Sequence, residues 1–109
     1  MAHYLVTAQA ITDRLAELKE RLDAEEIRPL RPFGQALDHG LQNARLNEVG
    51  LVVWEEEDYC HPPLAMEREA VLDHYFTDLS VKPVRQGDGW REIDSLPSLW
   101  ESLPGKTNG

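Results

Sequence analysis

A short apolar run at residues 49–54 constrains the fold of this chain more than any other feature of its sequence. The run reads VGLVVW and changes abruptly into the four acidic residues 55–58, EEED. A continuous apolar run of this length is typical of a strand that is buried on both faces. We therefore predict a central β-strand over 49–54, with residues 55–58 emerging at the edge or end of a sheet.

Three further segments have strand character. Tyr4–Ala8 is rich in β-branched and aromatic residues and predicts a buried first strand. The alternation over 79–84 predicts another strand, and Pro83 places it at an edge or a bulge because proline donates no ladder hydrogen bond. The segment 86–89, QGDG, predicts a turn, from which 90–93 folds back as a hairpin strand.

Two helices are predicted in the first half of the chain. Thr12 is a candidate N-cap for a helix over 13–26, whose leucines recur at helical spacing. A second helix begins at Pro32 and continues through 33–46. A strand over 33–46 is the alternative, but its alternation would break the apolar set. Gly40 weakens such a helix by roughly 1 kcal/mol relative to alanine, unless it lets another element pack closely.

Two more helices are predicted in the second half. Pro62 and Pro63 preset the entry to a helix over 63–77 that has one apolar side. Ser95 is the candidate cap of a last short helix, whose apolar stripe ends at Leu103 and requires a surface to cover.

Together these elements predict a small α+β protein. We expect a single domain with a sheet of about four strands, two or three helices packed on one face of the sheet, and a short C-terminal helix. A length of 109 residues fits one domain, which we place at residues 1–104. Residues 105–109 are predicted to form a disordered tail because of their composition.

The charge of the chain is concentrated in one stretch. Acidic side chains outnumber basic ones by 20 to 11, and the formal net charge is −9. Residues 48–78 hold nine of the acidic residues and a single arginine. This balance opposes the neutralisation of phosphates, so we expect neither nucleic acid nor a membrane surface as a partner. The stretch is expected to be a solvated face, with binding of a basic protein as the alternative.

The cysteine content and the first residues indicate a compartment. The chain has one cysteine, Cys60, so it has no intrachain disulfide and suits a reducing environment. The first residues lack the basic and apolar regions of a signal peptide. No window approaches the roughly 18 uninterrupted apolar residues that a membrane span needs. We therefore expect a soluble, cytoplasmic protein.

The segment 55–63 is the first candidate for a site. It gathers a thiol, an imidazole and four carboxylates at a predicted junction between a strand and a helix. Cys60 precedes the helix N-terminus, where backbone amides stabilise a thiolate, although the neighbouring carboxylates oppose this effect. Cys60, His61 and Tyr59 are therefore the candidate catalytic residues. The alternative role of Cys60 is that of a small buried hydrophobic side chain.

A divalent metal site is the second interpretation of this region. Its candidate ligands are His61, His74 and Glu57, with the other carboxylates of the run 55–58 as further candidates. The two histidines are separated by twelve residues, whereas zinc motifs usually separate paired ligands by about two to five. Glu67 is most simply part of the exposed face of its helix. No organic cofactor is expected, because the chain has neither a glycine-rich phosphate loop nor a dinucleotide fingerprint.

Three segments together resemble a known family. They are HYLVTA at 3–8, VLDHYF at 71–76 and LSVKPV at 79–84, in which SVKP is the closest local match. The chain thereby resembles the dimeric ferredoxin-like α+β barrel superfamily, in particular its YciI-like group. The resemblance implies that two sheets pair in a homodimer, in a superfamily that includes isomerases and monooxygenases. The chain departs from the family at 33–46, predicted here as helix, and in lacking a match to the histidine and aspartate of YciI-like proteins.

These observations favour a homodimeric binding or protein-interaction module without catalysis of its own. The reasons are an edge strand, a C-terminal apolar stripe and the lack of a catalytic constellation. The alternative is a small enzyme or metal-binding protein with a site around Glu57, Tyr59, Cys60 and His61. A third hypothesis is that residues 48–78 bind a basic protein, which predicts salt-sensitive association.

Overall fold

A four-stranded antiparallel sheet forms the centre of the computed structural model, which describes residues 2–101. The strands are β1 (Ala2–Ala10), β2 (Arg45–Leu46), β3 (Val52–Asp58) and β4 (Phe76–Val84). They lie in the order β2-β3-β1-β4, and each neighbouring pair is antiparallel. The predicted α+β class is confirmed, and β4 is the edge strand that Pro83 indicated.

Four α-helices connect and cover the strands. They are α1 (Leu15–Asp23), α2 (Gly34–Gln42), α3 (Ala65–Ala70) and α4 (Asp88–Glu92). Short 3₁₀ helices precede α1 at Thr12–Arg14 and follow α3 at Leu72–His74. Among residues 2–101, no helix has the length and apolar character that crossing a membrane requires.

The main core lies between one face of the sheet and helices α1, α2 and α3. Strand alternation supplies one half of it, and the leucines at helical spacing supply the other. Its fully buried side chains include Val6, Val52 and Trp54 from the sheet and Leu18, Leu22, Leu37 and Leu41 from the helices. Burial of each such side chain stabilises the fold by about 1.5–3 kcal/mol.

The opposite face of the sheet carries a smaller cluster. Leu5, Val53 and Ile93 are its buried members. Trp90 of α4 packs against this cluster and also against the main core, so α4 contributes to both clusters. The two clusters together bury both faces of β3, as the apolar run predicted.

Strand β3 is displaced relative to its predicted position. It begins at Val52 rather than at residue 49, and it continues through the acidic residues to Asp58. The expected solvated face is wrong for Glu55, Glu56 and Asp58, all of which are buried. The reason is the length of β1, which starts at Ala2 and pairs with β3 as far as Asp58.

The first and third predicted helices are present in shortened form. The helix over 13–26 ends at Asp23. Thr12 is not its cap: the cap positions of the 3₁₀ helix and of α1 are Ile11 and Arg14, and neither makes a capping hydrogen bond with its side chain. The helix over 63–77 is reduced to α3 and the 3₁₀ helix that follows it. Pairing with β1 draws Phe76 into β4 and ends this helical region early.

Residues 33–46 were predicted as a helix with a strand as the alternative, and most of the segment is helical. The segment is helical over Gly34–Gln42, and the two-residue strand β2 that follows was not predicted. Gly40 marks a close approach between α2 and β3. A Cβ atom at Gly40 would lie 2.6 Å from Cδ1 of Trp54. Glycine at this position therefore lets β3 pack closely against the helix, which offsets its weak helix propensity.

The predicted hairpin strand at 90–93 is wrong. Asp88–Glu92 forms α4 instead, which is the short C-terminal helix of the fold. Gly87 precedes it with a φ angle of 88°, a conformation that glycine adopts without strain. The carboxylate of Glu55 accepts hydrogen bonds from the start of α4, so a contact distant in sequence stabilises the helix.

The helix expected after Ser95 is replaced by turns as far as residue 101. Leu99 and Trp100 are nevertheless buried in the main core, so the predicted apolar stripe covers the chain's own surface. Leu103 and the predicted tail at 105–109 lie outside the described residues.

Candidate functional site

A cavity of about 600 Å³ lies beside the second half of β3. Strand β2 pairs with β3 only at Val52 and Val53, so within residues 2–101 the rest of β3 has no strand on this side. Residues of α2, α4 and the loop before α3 enclose the space instead. A concave site of this size is in the range that small ligands occupy.

The lining of the cavity is acidic and aromatic. No lysine or arginine of the described chain contributes to it. The acidic members are Glu55, Glu56, Glu57, Asp58 and Glu67, and the large apolar or aromatic members are Phe33, His39, Tyr59, Met66 and Trp90. A cleft lined by one sign of charge raises the local concentration of ions of the opposite sign.

The floor of this cavity consists of Glu56, Asp58, Cys60 and Glu67. Glu67 is fully buried, while Glu56 and Asp58 are 2% and 4% exposed and Cys60 is half-buried. Strand alternation brings Glu56 and Asp58 to the same face as Trp54, and α3 contributes Glu67. Three carboxyl groups are therefore removed from water within one small region, which is costly unless a cation or protons compensate their charge.

Asp58 anchors the loop that closes the floor. Its Oδ2 accepts hydrogen bonds from the backbone N–H of Leu64 at 2.6 Å and of Cys60 at 3.1 Å. Burial opposes ionisation of this carboxyl, but the hydrogen bonds, the one from Leu64 foremost, hold the pKa of Asp58 below its usual value. Asp58 is therefore the negatively charged member of the floor.

Glu56 and Glu67 each have a buried oxygen without a donor. Trp54 Nε1 donates to Glu56 Oε1 at 2.9 Å, but no group of residues 2–101 donates to Glu56 Oε2 or Glu67 Oε2. Burial raises the pKa of Glu56 well above its usual value, and the adjacent Glu67 raises it further. Burial also raises the pKa of Glu67. Without a bound cation, this pair must hold a proton.

Cys60 lies beside these carboxyl groups, with Sγ 3.9 Å from Glu67 Oε1. A backbone hydrogen bond at Met66 lowers the pKa of the thiol, but burial and the charge of Asp58 outweigh it, so the pKa of Cys60 is raised. A raised pKa disfavours the thiolate that a nucleophilic cysteine needs. The geometry therefore favours coordination or packing over nucleophilic catalysis for this side chain.

The structure brings only part of the predicted site together. Tyr59 is 66% exposed and donates a hydrogen bond to Glu57 Oε2 at 3.1 Å. His61 and His74 are exposed, and neither belongs to the group of candidate ligands found within residues 2–101. That group is Asp58, Cys60 and Glu67, whose ligand atoms all lie within 4.8 Å of one another. Of the residues predicted from the sequence, Cys60, a catalytic candidate, and Asp58, a further ligand candidate, belong to it.

Sequence reasoning missed Glu67 because it assigned this residue to an exposed helix face. A signal for its burial was present, since Leu64 and Val71 are spaced by two helical turns and Glu67 lies between them on the same side. Glu56 and Asp58 were candidates only as members of the acidic run 55–58, and their burial was not predicted. Counting every second residue from Trp54 along the strand identifies both as inward-facing.

A second acidic residue, Glu55, builds the wall of the cavity rather than its floor. Its carboxylate accepts hydrogen bonds from the N–H groups of Gly87 at 2.8 Å and of Trp90 at 3.1 Å. N–H groups at the start of a helix have no acceptor within the helix itself, so the carboxylate of Glu55 stabilises the start of α4. The indole of Trp90 in turn meets the ring of His39 edge to face, with centroids 5.8 Å apart. Glu55 thereby holds the start of α4, and with it the aromatic side chains of this wall.

Comparison with known proteins returned no matching family model, no matching curated protein and no matching solved structure.

Proposed function

We propose that the protein is a small binding module whose cavity beside β3 takes up a positively charged ligand. The observation that carries this proposal is the pair of buried, donor-free oxygens Glu56 Oε2 and Glu67 Oε2. A buried carboxylate oxygen without a donor costs about 1–3 kcal/mol or more. A bound cation removes that cost and also compensates the charge of the carboxyl groups, whereas a neutral donor supplies only a hydrogen bond and an anion supplies neither.

The charge of the lining supports the same assignment. Five carboxyl groups and no lysine or arginine of the described residues surround the space. Glu55 is engaged at the start of α4 and lies 3.6 Å from His3 Nδ1, but within residues 2–101 no ion pair is formed by Glu56, Asp58 or Glu67. The field inside such a cleft favours cations over anions.

The walls leave room for more than a bare ion. Phe33, Met66 and Trp90 provide apolar and aromatic surface above the floor. An organic ammonium would direct its charge to the floor and its apolar part to these walls, where aromatic faces attract cations. The ligand class is therefore a cation, either a metal ion or a small ammonium compound.

Binding is favoured over thiol catalysis for this site. Cys60 and His61 are adjacent in sequence, yet His61 is exposed and contributes nothing to the cavity lining. The Cys60 thiol donates a hydrogen bond to Glu67 rather than to a histidine, and its raised pKa disfavours the thiolate. Ligand binding at this site therefore needs no covalent reaction of Cys60.

The proposal is tested by thermal unfolding of the full chain with matched probes. Benzylamine and ZnCl₂ are the cationic probes, and benzyl alcohol and sodium phosphate are the uncharged and anionic controls. We expect at least one cationic probe to raise Tm, neither control to do so, and the shift to disappear in Glu67→Gln. Glu20→Gln removes an exposed charge on α1 and should leave it unchanged. Equal shifts with benzyl alcohol, or none with either cation, would refute the proposal.

We also propose a ferredoxin-like arrangement for the fold. The support is the element order, in which β1, helix, β2, β3, helix and β4 follow one another, together with the sheet order β2-β3-β1-β4. The extra helix α2 before β2 is the departure anticipated at residues 33–46. Membership of the YciI-like group stays a prediction.

The homodimer and the cytoplasmic location also stay predictions. One reason given for the homodimer is weaker now, because Leu99 and Trp100 of the C-terminal stripe are buried within their own chain. The remaining reasons are the family resemblance and the edge of β4, which no strand of residues 2–101 covers. The third hypothesis, a basic protein bound to residues 48–78, is weakened because Glu55, Glu56, Asp58 and Glu67 are not on the surface.

A further inference from the structure

We propose that the floor of the cavity is a divalent metal site in which Asp58, Cys60 and Glu67 are the ligands. This inference rests on the proposed function and names the cation. It replaces the ligand set expected from the sequence, Glu57, His61 and His74, with residues that the fold brings together.

The geometry of the three side chains suits one ion. Their ligand atoms lie within 4.8 Å of one another, and Cys60 Sγ is 3.9 Å from Glu67 Oε1. Ligands bound at about 2.0–2.3 Å around one metal ion are roughly 3–4.5 Å apart. Small side-chain rotations are therefore enough to close the site, without a change of the backbone.

The donor-free oxygens are a separate observation that points to a ligand. Glu67 Oε2 is fully buried and has no hydrogen-bond partner in the described chain, and Glu67 is one of the three proposed ligands. Glu56 Oε2 is in the same condition beside it. We assign to Glu56 the role of an outer partner, which accepts a hydrogen bond from a water molecule on the ion.

Protein hydrogen-bond donors orient two of the carboxyl groups at the floor, as is usual around metal sites. Each of two carboxylates has one oxygen fixed by a protein donor: Trp54 Nε1 binds Glu56 Oε1, and Leu64 N–H binds Asp58 Oδ2. Such outer hydrogen bonds orient ligands and are a general feature of metal centres. The remaining oxygens of Glu56 and Asp58 are left for the ion or its water.

The donor set selects a class of metal. A thiolate with carboxylates suits Zn²⁺, Co²⁺ or Fe²⁺ better than Mg²⁺ or Ca²⁺, which prefer oxygen ligands alone. Cys60 gives up its proton on coordination, because the thiolate is the ligand. An ammonium group would gain little from the thiol, which is a weak hydrogen-bond acceptor. The presence of Cys60 therefore favours a metal over an organic cation at the floor.

Cobalt(II) is the probe that tests this inference, because it reports both occupancy and ligand type. The reduced full chain is titrated with CoCl₂ in the presence of excess MgCl₂. We expect binding of one Co²⁺ per chain, visible d–d bands of a low-coordinate site and a near-ultraviolet band of thiolate-to-cobalt charge transfer. Cys60→Ser should lose the charge-transfer band, and Glu67→Gln should weaken binding at least about tenfold.

The controls separate the two ligand sets. His61→Gln and His74→Gln alter two of the residues expected from the sequence, both outside the cavity lining, and should leave both the affinity and the spectrum of Co²⁺ unchanged. Near-ultraviolet circular dichroism of each variant checks that its core is folded. If Glu67→Gln does not fold, the spectrum of Cys60→Ser decides, since serine preserves the size of the side chain.

Several outcomes would overturn the inference. They are no Co²⁺ binding by the wild type, a charge-transfer band that survives in Cys60→Ser, or a larger loss of affinity in the histidine variants than in Glu67→Gln. Displacement of Co²⁺ by MgCl₂ would equally contradict a site with a thiolate ligand. If benzylamine raises Tm while Co²⁺ and Zn²⁺ do not bind, the metal site is wrong and the cation-binding cavity stands. If neither class binds, both proposals are wrong.

Discussion

The indole N–H of Trp54 donates a hydrogen bond to Glu56 Oε1 at 2.9 Å, two residues further along β3. Strand alternation places both side chains on the core face, and both are buried. A tryptophan of the main core thereby orients a carboxyl group at the floor of the cavity. This link couples the packing of the sheet to the geometry of the proposed site.

Trp54→Phe is expected to affect stability and metal affinity together. The substitution leaves Glu56 Oε1 buried without its donor, so the free energy of unfolding should fall by about 1–3 kcal/mol. The affinity for Co²⁺ should fall about tenfold, because Glu56 loses its orientation. Urea unfolding and cobalt titration measure the two effects.

Trp100→Phe is the matched control for this prediction. Trp100 Nε1 donates to the backbone oxygen of Leu41 at 2.7 Å, in the same core but outside the cavity lining. Its loss should lower stability by a similar amount and leave cobalt affinity unchanged. Equal loss of affinity in both variants would show that Trp54 acts through general stability and not through Glu56.

The stability of the metal-free protein should fall as the pH rises above about 4.5. The reason is that burial raises the pKa of Glu56 well above its usual 4.5. Between these two pKa values the unfolded chain has released the proton of Glu56 and the folded chain still holds it. The unfolded state thus binds fewer protons, and the free energy of unfolding declines with pH.

Chelator-treated protein unfolded by urea across mildly acidic to neutral pH measures this decline. Glu56→Gln should flatten it, and Trp100→Phe should shift the whole curve without changing its slope. Zn²⁺ should reverse the decline, because metal binding strengthens as the ligands lose their protons. A stability that rises steadily through this range in the metal-free wild type would contradict the raised pKa of Glu56.

Removal of the Glu55 carboxylate should release the aromatic wall of the cavity. Glu55→Ala leaves the N–H groups of Gly87 and Trp90 without their acceptor, which should cost about 1–2 kcal/mol. Faster amide hydrogen exchange is expected in Asp88–Glu92, together with increased solvent exposure of Trp90. Glu57→Ala alters the same strand without touching α4 and is the control. Unchanged exchange in Glu55→Ala would show that other contacts hold α4.

Gly40→Ala should destabilise the protein despite the better helix propensity of alanine. The new Cβ would lie 2.6 Å from Trp54 Cδ1 and 3.3 Å from the backbone oxygen of Glu55. Overpacking of this kind costs about 1–3 kcal/mol, against a gain of roughly 1 kcal/mol in propensity. Gln35→Ala on the exposed side of α2 should be close to neutral in urea unfolding. A stabilised Gly40→Ala variant would contradict the close packing of α2 on β3.

Local patterns in the sequence were sufficient where local physics decides the structure. Leucine spacing predicted α1, and the apolar set over 33–46 predicted α2. The apolar run predicted a strand buried on both faces, which β3 is. The proline at position 83 indicated an edge, and β4 is one.

The remaining errors have long-range causes. The end of β3 is set by its pairing with β1, whose first residue is opposite Asp58. Helix α4 forms in place of the predicted hairpin strand. Glu55, more than thirty residues earlier in the chain, accepts a hydrogen bond from the N–H group of Gly87 at the start of this helix. The floor was missed for the same reason, since burial of Glu67 depends on how α3 meets the end of the sheet. Composition could not distinguish buried carboxyl groups from solvated ones.

Native mass spectrometry of the full chain with one equivalent of zinc acetate weighs any ion that is held at the floor of the cavity. The wild type should appear as a species with one bound zinc ion per chain, and Glu67→Gln should appear mainly as the free chain under the same conditions. The same spectra show whether the chain is a monomer or the predicted homodimer. A wild-type spectrum of free chain alone, or equal zinc occupancy in Glu67→Gln, would contradict the assignment of a cation to the floor.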